Sequence, residues 1–163
     1  MMYATVADMV ARYGERELTQ LTDTEGAGTF DATAVTRALE DACACADSHI
    51  GMVYQLPLRG CAKPITSPGA APEYVPPPML TRIVCDLARY YLMPDLDDKH
   101  AAAVRAATAM RDLQAIAKGT AQLACPWGGV GGVVLQSDPV GDLQVSHSFS
   151  GRQISDDSLR GFA

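Results

Sequence analysis

Pro78-Met79-Leu80-Thr81-Arg82-Ile83-Val84-Cys85-Asp86-Leu87-Ala88-Arg89-Tyr90-Tyr91 carries the strongest helical pattern in the chain. Leu80, Ile83, Val84, Leu87, Ala88 and Tyr91 return at steps of three and four, which gathers them into one apolar stripe. Pro78 or a neighbour suits the first helical position, where an amide would be unpaired anyway, and Pro94 stops the helix. A stripe this apolar must be covered by other elements, so this is expected to be the central helix of a bundle.

Downstream, Asp95, Asp97 and Asp98 place negative charge at the start of a further helix reaching Lys118, where the helix dipole favours it. Ala106, Met110, Leu113 and Ala117 form its seam, and Lys118-Gly119 closes it. The stretch from Ala101 to Ala109 has little side-chain bulk, so another helix can approach closely. Upstream, seven of the ten prolines lie between Gln55 and Met79. They remove amide donors and fix φ, which predicts an extended loop.

Before that loop, Val35, Ala38, Leu39, Ala42, Ala46, Ile50 and Val53 predict a helix from about Ala32 to Met52, with Asp31 as its N-cap. Thr5 followed by Asp8 is a capping-box pattern opening a first helix, Thr5 to Tyr13, ended by Gly14. A short helical turn, Glu15 to Leu21, and a break from Thr22 to Gly28 follow.

After Gly119 the pattern changes. Trp127, Val130, Val133, Val134, Leu135, Val140, Leu143, Val145, Phe149, Ile154, Leu159 and Phe162 are too much apolar surface for a solvated linker and too weakly periodic for a separate core. Trp127 to Leu135 predicts a Gly-turned hairpin, and Leu143 to Phe149 alternates as a strand. The expected fold is therefore mainly α. A small bundle of about four helices occupies residues 1–119, with the Pro-rich loop at 55–79, and a long extended C-terminal arm with short β segments occupies residues 120–163. The arm should complete its burial against a partner. Its candidate contacts are the aromatic anchors Trp127 and Phe162, the apolar Val133, Leu135, Phe149, Ile154 and Leu159, and the charges Arg152 and Arg160, which set register more than affinity.

Composition narrows the function. A formal charge of -6, from 19 acids and 13 bases, disfavours wrapping phosphates, although an acidic wall suits a passage along which DNA slides without sticking. Cys43, Cys45, Cys61, Cys85 and Cys125 are odd in number and contain no CxxC pair, so reduced thiols are expected. Cys43 and Cys45, two apart on a helix, face different directions and cannot share a metal. Asp23 to Asp31 has acids at the first, third and ninth places of a calcium loop and glycine at the sixth, but the twelfth is Ala34, so a turn feeding a capped helix is the better reading. His49, His100 and His147 show no paired spacing, no serine stands in a GxSxG elbow, and the glycines from Gly128 to Gly132 lack phosphate-loop spacing. No catalytic role, cofactor or metal is expected, and no apolar stretch approaches a membrane span.

Three segments resemble a family of small neck proteins from Mu-like tailed phages and prophages: Met2-Tyr3-Ala4-Thr5-Val6-Ala7-Asp8-Met9-Val10-Ala11-Arg12-Tyr13-Gly14, then Leu80 to Leu92, then Gly151-Arg152-Gln153-Ile154 with Ser158-Leu159-Arg160-Gly161-Phe162. Leu21-Thr22-Asp23 and Tyr54-Gln55-Leu56-Pro57-Leu58 are similar too. The Arg59 to Val75 loop departs from the family in its length and prolines. The resemblance implies a structural virion protein made in the host cytoplasm, a head–tail connector of the head-completion adaptor type. It would form a ring of about twelve copies between the portal protein and the tail or stopper proteins, with DNA passing through the lumen without specific binding. Another neck component, a stopper or tail-end protein, is the nearest alternative. A small cytoplasmic ligand-binding protein or enzyme, using a cleft between bundle and arm, is the more distant one.

Overall fold

The computed structural model describes residues 2–24, 26–65, 69, 71–93 and 97–135. Five helices carry the fold: α1 Val6–Tyr13, α2 Glu15–Thr22, α3 Ala32–Ile50, α4 Pro78–Tyr91 and α5 Ala101–Ala117. The protein is mainly α, as its periodicity implies. Helix α4 packs against both α3 and α5, so the stripe that stands out in the sequence does form the centre. Leu80, Ile83, Val84, Leu87 and Ala88 are fully enclosed, and they meet Val35, Leu39, Ala42, Ala46 and Ile50 of α3 in one core. Tyr91, although on the predicted stripe, remains exposed at the helix end.

The helix ends follow local chemistry. Thr5 Oγ1 accepts from Asp8 N at 3.3 Å while Asp8 Oδ2 accepts from Thr5 N at 2.7 Å, satisfying two orphan donors reciprocally. Asp31 Oδ1 accepts from Thr33 N at 2.7 Å and starts α3. Pro78 takes the first turn of α4, where its missing amide costs nothing. The Asp23 carboxylate accepts from the amides of Ala27 and Gly28 at 2.8 and 2.7 Å, so the calcium-like sequence forms an Asx-stabilised turn.

Helix α5 begins later than its acidic leader suggests. Its N-cap is His100, whose Nδ1 accepts from Ala102 N at 3.2 Å. The buried face is Ala102, Ala106, Ala109, Leu113 and Ile116. It is rotated slightly from the expected seam, leaving Met110 only partly covered. Small alanines at the contact let α5 lie close to α4.

Two long-range features depart from expectation. The Pro-rich loop holds a small antiparallel pair, β1 Cys61–Ala62 with β2 Tyr74–Val75, joined further by the Lys63–Glu73 ion pair at 2.6 Å. Two-residue strands of this kind have no sequence signature beyond the loop itself. Cys61 is bonded to Cys125 across a separation of 64 residues, with Cα atoms 5.5 Å apart, which corrects the expectation of five reduced thiols. The fold brings together two cysteines whose spacing carries no recognisable pattern. Cys43, Cys45 and Cys85 are free, and the first two point different ways: the Cys43 sulfur accepts from Tyr3 N, and Cys45 lies 3.8 Å from the Met110 sulfur.

Candidate functional site

The site is built from the chain that leaves α5. Gly119 adopts φ +71, and the amides of Thr120 and Ala121 both donate to Ala115 O, at 2.9 and 3.1 Å, turning the backbone off the helix axis. Leu123 then enters the core with no exposed surface, and its amide donates to the Tyr54 hydroxyl at 3.1 Å. That hydroxyl belongs to a buried ring just past α3, so the segment is stitched to the bundle by packing and by a polar contact shielded from water.

From Leu123 the chain makes the Gly-turned hairpin that the sequence implies. Ala124 pairs with Val130, Gly131 N donates to Leu123 O at 2.7 Å, and the turn passes through Gly128 at φ +95 and Gly129 at φ +77. Gly131 and Gly132 are small for another reason. A Cβ at Gly131 would stand 2.4 Å from Pro77 Cγ, and one at Gly132 2.4 Å from Leu58 Cδ1. Gly60 N donates to Gly131 O at 2.7 Å, and the Cys61–Cys125 bond clamps the hairpin base to β1. The chain then pairs antiparallel with the exit of α3, as Gln55 N donates to Val133 O at 2.8 Å and Leu135 N to Val53 O at 2.7 Å.

These bonds hold an apolar run in the open. Trp127 is 48% exposed, Val133 55% and Leu135 45%, with Val130 and Val134 similarly uncovered. Such density of large exposed apolar side chains within nine residues is what a docking surface looks like. Beside Trp127 lies a cleft of about 410 Å³ shared with Arg59 and Tyr74. The Arg59 guanidinium sits 4.8 Å from the Tyr74 ring centroid and donates to the Tyr74 hydroxyl, offering a rigid cationic and aromatic wall.

Three of the residues singled out in the sequence, Trp127, Val133 and Leu135, are therefore brought together on one pinned segment. Phe149, Arg152, Ile154, Leu159, Arg160 and Phe162 lie outside the described residues, as does the strand expected from Leu143 to Phe149. Sequence reasoning missed Leu123, which anchors the segment, and Tyr54, which receives its amide. A lone leucine after a helix-closing glycine gives no periodic signal.

A separate polar network joins the helices of the bundle, and it too is invisible in the sequence. The Tyr13 hydroxyl donates to Asp86 Oδ1 at 2.7 Å, and Asp86 is only 6% exposed. Arg82 stands 3.7 Å from Asp86 and reaches Asp112 of α5 at 2.5 Å. Arg89 pairs with Glu17 of α2 at 2.5 Å and lies 4.8 Å over the Tyr13 ring. Burial pushes the Tyr13 phenol well above its ordinary value, and the adjacent Asp86 adds to the shift. Three charged side chains of α4 thus tie α1, α2 and α5 to the central helix. Asp86 and Arg89 are largely enclosed while Arg82, Asp112 and Glu17 are about a third exposed, and every charge in the set faces another helix, which suits holding helices in register. Of the histidines, His100 caps α5 and His49 Nδ1 lies 2.9 Å from Cys45 O, while His147 is outside the described residues. Among the described residues, no group of three or more His, Cys, Asp or Glu side chains is placed to hold a metal ion, and no helix is long and apolar enough to cross a membrane.

Comparison with known proteins gives the lineage. The Mu-like prophage FluMu protein gp36 of Haemophilus influenzae is 32% identical over 92 residues, 56% of this chain and 55% of the relative. The similarity thus spans about half the length of that curated relative. A family model described as Bacteriophage Mu, Gp36 matches residues 3–129, which takes in all five helices and the hairpin turn but stops short of Val133 and Leu135. The chain therefore belongs to the bacteriophage Mu gp36 family of phage proteins.

Proposed function

We propose that this protein is a structural component of the virion neck, a head–tail connector of the adaptor type that assembles as a ring between portal and tail. The observation that carries the reading is the uncovered apolar run from Trp127 to Leu135, fixed by the core residue Leu123, the Tyr54 hydrogen bond and the Cys61–Cys125 bond. A pre-positioned anchor loses little conformational freedom on docking, so more of its burial energy is realised as affinity. Membership in a phage family supports the same direction. The acidic balance of the chain supports a channel wall that DNA passes without adhering.

On this reading, portal and tail or stopper proteins and neighbouring copies of the chain are the partners, Trp127 is the central portal contact, and the segment from Phe149 to Phe162 supplies further contacts within the assembly. The decisive experiment replaces Trp127 and Val133 by glutamate in the full chain. Both side chains are about half exposed, so the fold should survive with unchanged helical circular dichroism. Heads and tails should then accumulate unjoined, and purified portal should no longer retain the protein. Normal yields of infectious particles from this variant would refute the proposal. A neck component further from the portal, such as a stopper, would instead show lost joining with portal retention intact.

A further inference from the structure

We infer that a groove between the C-terminal half of α4 and the N-terminal half of α5 receives the segment around Arg152-Gln153-Ile154-Ser155-Asp156-Asp157 of a second copy of this chain. The cleft has a volume of about 590 Å³ and an apolar floor that includes Leu87, Tyr90, Tyr91, Val104 and Met110. Val104 is 50% exposed, and Tyr90 and Tyr91 are also uncovered, which is costly for a helix pair that is otherwise well packed.

The charges name the occupant. Asp98 borders the groove before α5 begins, and Arg111 borders it about 15 Å further along, counting the rise from the helix start. In the sequence, Arg152 is followed by Ile154 and then by Asp156 and Asp157. Extended, that spacing spans about 13 to 17 Å, so Arg152 meets Asp98 while an aspartate meets Arg111 and Ile154 settles on the floor. Rim charges add little affinity, but they fix direction and register.

Placement leaves a second copy within reach as the occupant, and the connector reading selects it over the chain's own groove. The arm crosses the N-terminal end of α4, where Gly131 lies against Pro77, whereas the groove is at the other end of the same helix, about 20 Å away. The described hairpin and the groove thus lie at opposite ends of α4, as a heterologous, head-to-tail contact that closes into a ring when the rotation allows would use them. Arg152 stands seventeen residues beyond Leu135, a reach of at most about 60 Å, which is enough to bridge neighbouring subunits. The inference deepens the ring component of the connector reading and rests on it for the choice of a second copy.

The test uses the full chain carrying a photoreactive phenylalanine analogue in place of Ile154, mixed as light and heavy isotopic forms. Illumination should join this position to the peptide spanning residues 98–111 in light–heavy pairs. Val104→Glu should weaken self-association in sedimentation by at least about tenfold, because it places an unpaired charge on the apolar floor. Arg111→Glu should weaken it about threefold, with recovery when Asp156→Arg and Asp157→Arg are added. Cross-links confined within one isotopic form, cross-links to any other surface, or association indifferent to Val104→Glu would each overturn the inference. If heads and tails still join through the chain under any of those outcomes, the connector reading stands while this contact falls. If the cross-links appear as expected but neck assembly does not depend on the protein, the contact stands without the connector reading.

Discussion

Replacing Tyr13 by phenylalanine probes the network that binds four helices together. The change deletes only the hydroxyl that donates to Asp86 Oδ1 at 2.7 Å, and it keeps the ring under the Arg89 guanidinium. Asp86 is nearly sealed from solvent, and its cationic neighbour, Arg82, is at 3.7 Å, beyond hydrogen-bond reach. Water cannot easily replace the lost donor, so a charge-assisted bond of about 1.5 to 3 kcal/mol is removed without compensation. Phenylalanine should therefore lower unfolding free energy by about 2 kcal/mol at neutral pH. Urea unfolding followed by Trp127 fluorescence measures this with an unchanged denaturant slope. Pairing the change with Asp86→Asn should give a coupling of about 1 to 2 kcal/mol, because the two groups act as one unit. The pH dependence carries a sign. Burial, then Asp86, raises the phenol in the folded protein above its unfolded value of about 10. The unfolded chain thus releases the proton first, and the hydroxyl's contribution is whole below pH ~10 and declines as pH rises above it. The gap between wild type and Tyr13→Phe should hold up to about pH 10 and shrink above it. A gap below about 0.5 kcal/mol at pH 7, or one that widens in alkali, would refute the account.

Three further outcomes are expected. Replacing Cys61 and Cys125 by serine frees a chain closure across 64 residues, worth up to about 4 kcal/mol on the chain-entropy model, and the unfolding midpoint of the wild type should fall comparably under reductant. Leu123→Ala empties a fully buried position and should cost about 2 to 5 kcal/mol, with hydrogen exchange rising at Gly131 and Leu135, whose amides hold the hairpin. Gly131→Ala brings a methyl against the stiff Pro77 ring and should cost about 1 to 3 kcal/mol in urea unfolding, whereas alanine at neighbouring exposed Val130 should change stability little.

What could be read from the chain was what neighbouring residues decide among themselves. The Thr5–Asp8 box, the Asp31 cap, Pro78 at the start of α4 and the α3 and α4 stripes all depend on residues within a turn or two of each other. The start of α5 was less legible: Asp95, Asp97 and Asp98 supply negative charge ahead of it, but the helix is capped by His100, a residue with no strong capping preference. Contacts across long separations left no such trace. Nothing in the residues around Cys61 announces Cys125, nothing around Tyr13 announces Asp86, and the two-residue strands of the Pro-rich loop exist because the loop folds back on itself. The hairpin at Trp127 was legible through its glycines, yet two of those glycines are required by Pro77 and Leu58, which only the folded chain brings near.

The structure also moves the place where burial is incomplete. Residues 120–135 are not a free arm, because Leu123 belongs to the bundle core and the backbone on either side of Val134 bonds to the exit of α3. Cutting the chain at Gly119 would therefore damage the bundle and say little about docking. Among the described residues, two uncovered apolar surfaces stand out from the scattered exposed side chains: the run from Trp127 to Leu135, and the α4–α5 groove at the opposite end of the central helix. Two apolar surfaces at opposite ends of one rigid helix cannot be satisfied together by a two-fold pair that matches a single patch with itself. They can be satisfied by partners that differ from end to end, or by a repeating head-to-tail series. Rigidity matters here, because Arg82–Asp112 ties α5 to α4 while Leu123, the Tyr54 hydroxyl and the Cys61–Cys125 bond tie the hairpin to the same bundle, so the angle between the two surfaces is set before any partner arrives. On the proposed ring reading, a fixed angle lets a head-to-tail series close at one number of subunits, so cutting the α4–α5 tie with Asp112→Asn should broaden the distribution of ring sizes in native mass spectrometry even where each contact is intact.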